Sequence, residues 1–249
     1  MNTWFYSIIS VLIVSFISFS GILTLSIKKE KLKNFLIYFV SFSAGALLGD
    51  VFIHLLPEVI EEYNQSISLI FIYTLLGIFV SFILEKIICW RHCHMPITKD
   101  HVHRFTWMNL WGDFFHNFID GLTIAAGFLL SIPVGIATTL AVILHEIPQE
   151  IGDFGVLIYG GFKVKKALFL NFLTALSAVL GTTIGLLLNN KIDNLTLFLA
   201  PFAAGNFIYI ASSDLIPELH KETKIKKSVI QIITFILGIG VMYGLLLLD

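Results

Sequence analysis

Apolar residues form long runs along this chain, separated by short polar connections. A helix needs about 20 apolar residues to cross roughly 30 Å of hydrocarbon. The pattern therefore predicts an all-α integral membrane protein that forms one transmembrane domain over residues 1–249. Eight spans are predicted, at residues 3–27, 34–56, 67–90, 106–130, 133–160, 165–189, 196–220 and 228–248.

The composition supports a membrane protein and excludes one class of partner. Hydrophobic residues make up 57% of the chain and charged residues 13%, and the mean hydropathy is +0.88, far above that of a soluble domain. Basic residues lie in short clusters and the net charge is -1, so we expect no nucleic-acid partner. No cationic stretch precedes the run that starts at Thr3, which favours a retained span over a cleaved signal peptide.

The lysines and arginines predict the orientation of the spans. Of 16 such residues, all except Lys191 lie in or beside the connections after spans one, three, five and seven. By the positive-inside rule these connections face the cytosol, and both termini lie on the other side. We expect the cell membrane, or the inner membrane if the source is bacterial, with the ER or Golgi membrane as the alternative. The only cysteines, Cys89 and Cys93, then face the cytosol and stay reduced.

A short pattern recurs in spans two and seven. Segments 44–45 and 54–58 match segments 204–205 and 214–218 at a constant offset of 160 residues. Span two runs outward and span seven inward, so spans one to three would recur inverted as six to eight. Inverted repeats around a central site are typical of secondary transporters. A short apolar pattern can also recur by chance in a membrane protein.

Spans four and five carry polar residues that are expensive in hydrocarbon. The turn Ser131, Ile132, Pro133 makes these spans antiparallel neighbours, and His116 and His145 then lie roughly 20 Å from the same membrane surface. The two sets of polar groups are therefore predicted to meet near the midplane. They are Asp113, His116, Asn117 and Asp120 in span four, and His145, Glu146, Gln149, Glu150 and Asp153 in span five.

Residues four apart share a helix face, so His116 with Asp120 and His145 with Gln149 can point at one metal ion. Imidazole with carboxylate and amide oxygens suits zinc and its first-row neighbours, whereas copper(I) prefers thiolates. The alternative is a set of polar groups that only pack the two helices together. A second, adjacent metal position is predicted about 100° round the same helices, from Asn117, Glu146 and Glu150.

Two sequence motifs resemble those of a known family. Residues 116–121 read His-Asn-Phe-Ile-Asp-Gly, and residues 145–153 read His-Glu-Ile-Pro-Gln-Glu-Ile-Gly-Asp. They resemble the HNFxDG and HExPHExGD motifs of the ZIP (Zrt/Irt-like) divalent metal transporters, the second in the form of the branch best known for zinc import. Segments 45–58 and 205–218 also resemble that branch, so the likeness covers nearly the whole chain.

This resemblance implies a three-two-three arrangement of spans, a binuclear metal centre, a homodimer and an elevator-like movement of the helices that carry the site. It implies zinc, or another divalent transition metal, as cargo, and no prosthetic group. By position, the first metal would bind His116, Asp120, His145 and Gln149, and the second Asn117, Asp120, Glu146 and Gln149. Gln149 departs from the family pattern, because the zinc-importing branch usually has histidine there.

Polar residues also lie near both ends of a possible ion path. Asp50 and His54 are candidates for an entrance, with Glu58, Glu61 and Glu62 beyond them, and a solvated loop is the alternative. The exit candidates are Asp214, Glu218 and His220, for which helix-end solvation is the alternative. The predicted cytosolic loop 91–104 could collect metal through His92, Cys93, His94, His101 and His103, or these could be incidental surface residues.

Two other functions compete. Residues 145–149 are one residue short of the HExxH sequence of zinc peptidases, in which the glutamate activates a zinc-bound water. Gln149 removes the second histidine of that motif, so an intramembrane hydrolase is the weaker hypothesis. A metal-gated channel or sensor could use the same ligands, and saturating, voltage-insensitive uptake would favour a carrier.

Overall fold

The structure is a computed structural model that describes residues 2–26, 29–62, 67–90, 99–189, 191–192 and 194–248. Within these residues every regular element is helical. Short 3-10 turns cover Ser18–Ile22 and Leu246–Leu248. The α-helices are α1 (Asn2–Ile17), α2 (Leu23–Ser26), α3 (Lys29–Gly49), α4 (Leu56–Glu62), α5 (Ile67–Trp90), α6 (Lys99–Leu130), α7 (Ile132–Tyr159), α8 (Val164–Ala175), α9 (Ser177–Asn189), α10 (Leu195–Tyr209), α11 (Ile216–Leu219) and α12 (Ile225–Leu245).

Seven helical stretches are long and apolar enough to cross a membrane by length and composition. The predicted all-α membrane protein is therefore confirmed. Helix α6 occupies the position of the predicted fourth span, but polar residues interrupt its apolar sequence and it is not one of the seven. The seven stretches are Thr3–Ile22, Phe35–Glu62, Ile67–Ile87, Ile132–Ile158, Val164–Asn189, Leu195–Leu219 and Ile225–Leu245.

Helix α6 begins earlier than the sequence pattern predicts. It starts at Lys99, inside the predicted loop 91–104, so His101 and His103 lie in its first turns. The backbone therefore turns into the helix before the apolar run starts. The other three candidates of that loop, His92, Cys93 and His94, lie outside the described residues.

Helices α6 and α7 form a tight antiparallel hairpin. Ser131 alone separates them, in an extended conformation, and its Oγ accepts a hydrogen bond from the backbone N–H of Val134 at 3.3 Å. Pro133 lies in the first turn of α7, where its missing N–H costs nothing. The predicted turn is therefore present, and it brings the polar residues of the two helices to similar depths.

Glycines let two pairs of helices approach to backbone contact. A Cβ atom placed on Gly45 of α3 would lie 2.1 Å from the carbonyl oxygen of Phe235 on α12. One placed on Gly205 of α10 would lie 2.0 Å from the carbonyl oxygen of Thr74 on α5. Small residues at such contacts are typical of helix pairs in membranes. Gly45 and Gly205 are 160 residues apart, so the two pairs are equivalent under the repeat in the sequence.

Helix α6 is joined to α9 in the same way. A Cβ atom on Gly121 would lie 2.0 Å from the carbonyl oxygen of Ala178, and one on Gly181 would lie 2.1 Å from that of Phe118. Thr182 adds a hydrogen bond across this pair, since its Oγ1 donates to the backbone oxygen of Gly121 at 2.8 Å. Helix α6, which carries His116, is therefore fixed to α9 near residues 118–121.

Two π-helical segments repeat the same offset. One covers Asp50–Leu55 between α3 and α4, and the other covers Ile210–Leu215 between α10 and α11, 160 residues later. Two residues with this separation also touch, because the Oγ of Ser15 donates to the backbone oxygen of Ala175 at 3.0 Å. Isolated π segments inside helices often occur at functional sites. The sequence repeat thus has a counterpart in the backbone.

Candidate metal centre

Four side chains of α6 and α7 converge at the middle of the hairpin. Each of His116, Asp120, His145 and Glu146 offers one ligand atom, and these atoms lie within 4.8 Å of one another. Asp120, His145 and Glu146 are buried, whereas His116 is partly exposed. Within the described residues this is the one group of at least three such side chains that could hold a metal ion.

The distances between the ligand atoms suit a single zinc ion. Bond lengths near 2.0–2.1 Å in a tetrahedron place neighbouring ligand atoms about 3.3 Å apart. The Nε2 of His116 lies 3.2 Å from the Nε2 of His145 and 3.3 Å from the Oε1 of Glu146. The Nε2 of His145 lies 3.0 Å from the Oδ2 of Asp120 and 3.6 Å from the Oε1 of Glu146. The four atoms therefore fit around a zinc ion with little rearrangement.

The ring of His145 is oriented for metal binding. Its Nδ1 lies 3.0 Å from the backbone oxygen of Ala141, one turn earlier in α7. A carbonyl oxygen only accepts hydrogen bonds, so Nδ1 carries the proton and donates it. The neutral ring then has a lone pair on Nε2, which faces Asp120 and His116. A backbone hydrogen bond that fixes the tautomer is common behind metal-binding histidines.

The other three candidates on α6 and α7 have different surroundings. Gln149 lines the same cavity as His116. The Nδ2 of Asn117 donates to the Oδ1 of Asp113 at 2.7 Å. The Oε2 of Glu150 accepts from the Nδ2 of Asn171 on α8 at 2.7 Å. Glu150 thus faces α8, and Glu146 joins the four-residue group beside both histidines.

Sequence reasoning missed two polar residues of α8. Asn171 binds Glu150, and the Oγ1 of Thr174 donates to the Oδ2 of Asp113 at 2.5 Å. Both are buried in the predicted sixth span. The rule that polar residues inside spans need a reason applied to them as well. One polar residue per helical turn is too weak a pattern to show that Asn171 faces Glu150 and that Thr174 faces Asp113.

A cavity of about 660 Å³ leads from this group toward one end of the molecule. Its lining includes His116 and Gln149 together with Glu85, Asp214 and Glu218. Two of the predicted exit residues, Asp214 and Glu218, therefore line the cavity, whereas His220 is exposed beyond α11. Glu218 also pairs with Lys221. Sequence analysis did not identify six further polar residues of its lining: Ser81, Glu85, Asn109, Asn206, Tyr209 and Ser213.

The predicted entrance residues are buried at the opposite side. Asp50 is 0% exposed, and its Oδ1 accepts from the Oγ1 of Thr138 at 3.4 Å. His54 is 2% exposed, and its Nε2 lies 2.9 Å from the backbone oxygen of Met242. Buried apolar residues surround them, including Leu47 and Val51. Of the four-residue group, His116 therefore lines the cavity, whereas Asp50 and His54 are shielded from solvent. On α4, Glu61 and Glu62 are exposed and Glu58 is half-buried.

The sequence matches a family model over nearly its whole length. The model is described as ZIP Zinc transporter, and it matches residues 1–106 and 100–246. The chain belongs to this family. The family assignment made from the two motifs is thereby confirmed. Members of the ZIP family are transporters and not enzymes, which sets aside the hydrolase hypothesis.

Named ZIP relatives share about a third of their residues with this chain. Zinc transporter ZIP13 of Danio rerio is 30% identical over 97% of this chain and 86% of its own length. Zinc transporter YKE4 of Saccharomyces cerevisiae is 32% identical over 86% of this chain and 72% of its own length. Zinc transporter zipt-7.1 of Caenorhabditis briggsae is 30% identical over 84% of this chain and 70% of its own length. The similarity therefore extends over the whole membrane region of this ZIP protein.

Proposed function

We propose that this protein carries divalent transition-metal ions, zinc first among them, across a membrane into the cytosol. The observation that supports this most strongly is the group formed by His116, Asp120, His145 and Glu146, in which His116 lines a cavity and the other three are buried. A carrier needs a binding site that water reaches from one side at a time. The three named relatives are each called zinc transporters.

The ligand types favour zinc over softer metals. Two imidazoles and two carboxylates suit zinc and its first-row neighbours, whereas copper(I) prefers thiolate and thioether ligands. Neither α6 nor α7 contains a cysteine. Mixed nitrogen and oxygen ligation without thiolate also lets the ion leave, as transport requires. Iron, manganese and cadmium are further candidate cargoes.

A second, adjacent metal position is supported by oxygens that have no donor. Among the described residues, five buried oxygens of α6, α7 and α8 have no hydrogen-bond partner; one is Glu146 Oε1, which already faces His116, and four others lie beside it. Leaving a buried acceptor unsatisfied costs about 1–3 kcal/mol. A bound cation would satisfy such oxygens at once, so we propose a binuclear centre. The four are Asp120 Oδ1, Asn117 Oδ1, Glu150 Oε1 and Asn171 Oδ1.

We propose eight spans, with α6 as the fourth, in a three-two-three arrangement. The mouth of the cavity is formed by the end of α5, the first half of α6 and the Ile210–Leu215 segment. The positive-inside rule assigns these ends to the cytosol. On this orientation the cavity opens inward, and Asp50 and His54 close the outer side. We further propose a homodimer in the cell membrane, on the resemblance to the family.

An elevator-like movement is supported by the location of the glycine contacts. Those of Gly45 and Gly205 join α3 to α12 and α10 to α5, and that of Gly121 joins α6 to α9. Among the glycines whose contacts the structure describes, none has its nearest contact between the first four helices and the group of α1, α6, α7, α8 and α9. Helices held by backbone contact move together. Sliding of the second group past the first would carry the metal across.

Transport by purified protein in liposomes tests the proposal. Zinc, iron, manganese and cadmium uptake is measured for the wild type and His145→Ala, with empty liposomes as the background. We expect saturable zinc uptake, lost in His145→Ala because one of four ligands is gone. Absence of uptake of every metal by folded, correctly inserted protein would overturn the proposal. Uptake that does not saturate and follows the membrane voltage would indicate a channel instead.

Gln149→His tests the role of the departing residue in the same assay. Histidine at this position would add a nitrogen ligand next to His116 and so favour zinc over manganese, which prefers oxygen. The measurement is the ratio of zinc to manganese uptake, which we expect to rise. An unchanged ratio would mean that Gln149 does not select the metal.

A further inference from the structure

Helix α7 contains a proline beside the metal ligands, and this leaves one carbonyl without its usual partner. Pro148 has no N–H, so the backbone oxygen of Leu144, four residues earlier, loses its helical hydrogen bond. Leu144 directly precedes His145 in the sequence. An unsatisfied carbonyl at this depth costs free energy and loosens the helix at that point.

A neighbouring helix supplies the missing donor. The Oγ of Ser43 on α3 donates to the backbone oxygen of Leu144 at 2.6 Å. Ser43 is 0% exposed, so no water can take its place. Its Oγ also lies 2.8 Å from the backbone oxygen of Phe39 in its own helix, but a hydroxyl has one proton to donate. The shorter contact is the one to Leu144.

The same turn of α7 sets the direction of the His145 ring. The ring is anchored to the backbone oxygen of Ala141, and its Nε2 lies 3.0 Å from the Oδ2 of Asp120. The carbonyl bound by Ser43 belongs to the peptide unit between Leu144 and His145. Rotation of this peptide would move the Cα of His145 and thus its Nε2. Metal sites tolerate errors of only about 0.5 Å in ligand position.

In the other half of the repeat, the equivalent helix has no serine at this position and its partner helix has no proline. The position equivalent to Ser43 is Ala203 on α10, 160 residues later. Helix α10 packs against α6 as α3 packs against α7. Helix α6 contains no proline, so its carbonyls keep their amide partners. The serine therefore occurs where the partner helix has a proline, and alanine occurs where it does not.

We propose that Ser43 is a positioning residue of the metal centre: in this conformation it replaces the hydrogen bond that Pro148 removes and so holds His145 in its metal-binding position. This role rests on the proposed function of the His116 and His145 group. It predicts a specific coupling. Ser43 matters for metal binding only while Pro148 is present, because an alanine at 148 would restore the N–H that Leu144 lacks.

The experiment is a double-mutant cycle on the zinc affinity of the purified protein. Zinc binding is titrated by calorimetry for the wild type, Ser43→Ala, Pro148→Ala and the double variant, and thermal stability is recorded for each. Ser41→Ala is the matched control, since Ser41 is equally buried on α3 and its Oγ donates to the backbone oxygen of Gln231 on α12 at 2.6 Å. His145→Ala gives the level of binding without the site.

We expect Ser43→Ala to weaken zinc binding about tenfold, the loss that an unsatisfied buried carbonyl can cause. In the Pro148→Ala background the same change is expected to alter the affinity less than about twofold. Ser41→Ala is expected to lower the melting temperature but not the affinity. If Ser43→Ala lowers only the melting temperature, or weakens zinc binding equally in both backgrounds, the proposal is overturned. If the wild type binds no more zinc than His145→Ala, the proposed function itself fails.

Discussion

The two π-helical segments have equivalent positions in the repeat but opposite surroundings. In Asp50–Leu55, the polar residues Asp50 and His54 are buried against Thr138 and the backbone of Met242. In Ile210–Leu215, Ser213 and Asp214 are exposed, and both line the cavity. The glycine contacts next to the two segments are nearly identical. The first residues of both segments are buried, so the difference lies toward their ends, where His54 is buried and Asp214 is exposed.

On the proposed carrier function, equivalent backbones in unequal surroundings would correspond to one of two conformations. We call the Asp50–Leu55 segment closed, because its polar side chains are buried, and the Ile210–Leu215 segment open, because its polar side chains line the cavity. An exchange of these surroundings would open the site to the other side while leaving both helix pairs intact. This agrees with a shear between packed helices, in which small sliding movements change which surface is covered. Three predictions test the comparison.

The largest effect is expected where the two halves are alike. Gly45→Ala and Gly205→Ala each force a methyl group into a backbone oxygen that lies 2.0 to 2.1 Å away, so the helices of each pair must separate. We expect each to cost about 3 kcal/mol of stability, at the upper end for overpacked sites. Gly240→Ala, which has nothing within 4 Å, is the control. Denaturation midpoints measure the effect, and unequal losses would show that the two pairs are not equivalent.

The next effect concerns the difference in exposure. In a background with Cys89→Ser and Cys93→Ser, cysteine is placed at the equivalent positions His54 and Asp214, and its reaction with a small polar maleimide is timed. We expect the cysteine at 214 to react at least about tenfold faster, since tenfold protection corresponds to only about 1.4 kcal/mol. Equal rates would contradict the closed and open assignment of the two segments.

The smallest effect concerns the contact that holds the closed segment to α7. Thr138→Val removes the donor to Asp50, a long hydrogen bond of 3.4 Å worth about 1 kcal/mol at most. We expect the reaction of a cysteine at position 54 to speed up about fivefold. Thr139→Val is the control, because the Oγ1 of Thr139 binds the backbone oxygen of Gly135 in its own helix. A similar acceleration in both variants would exclude a specific role for Thr138.

Much of the fold follows from the length of the apolar runs, because a membrane span has few alternatives to a helix. The hairpin of α6 and α7 was predictable from Ser131 and Pro133, since both are strong signals for the start of a helix. The π segments were not predictable. The sequence shows that residues 50–55 and 210–215 are related. Whether the helix widens into a π turn there depends on contacts between helices, which a single sequence does not display.

The site was predictable as a set of residues but not as an arrangement. Spacing placed His116 and Asp120 on one face, and the structure brings their ligand atoms to 3.6 Å. Spacing also placed Glu146 and Glu150 together, whereas the structure directs Glu146 to the histidines and Glu150 to Asn171 on α8. The outcome depends on which neighbour packs against each face of α7. Periodicity within one helix contains no information on that neighbour.

The cavity has a further consequence for selectivity. A volume of about 660 Å³ has room for roughly 20 water molecules, so an ion there can keep a full hydration shell. Divalent ions that differ in size and ligand preference would therefore pass through the cavity alike, because its carboxylates act on the charge of a hydrated ion and not on its ligand preference. We expect stripping of the hydration shell at the crowded metal centre that includes His145, where buried side chains replace the water. Discrimination among metals would then depend on how well that group replaces lost water, and widening the cavity mouth would change the rate of release but not the choice of ion.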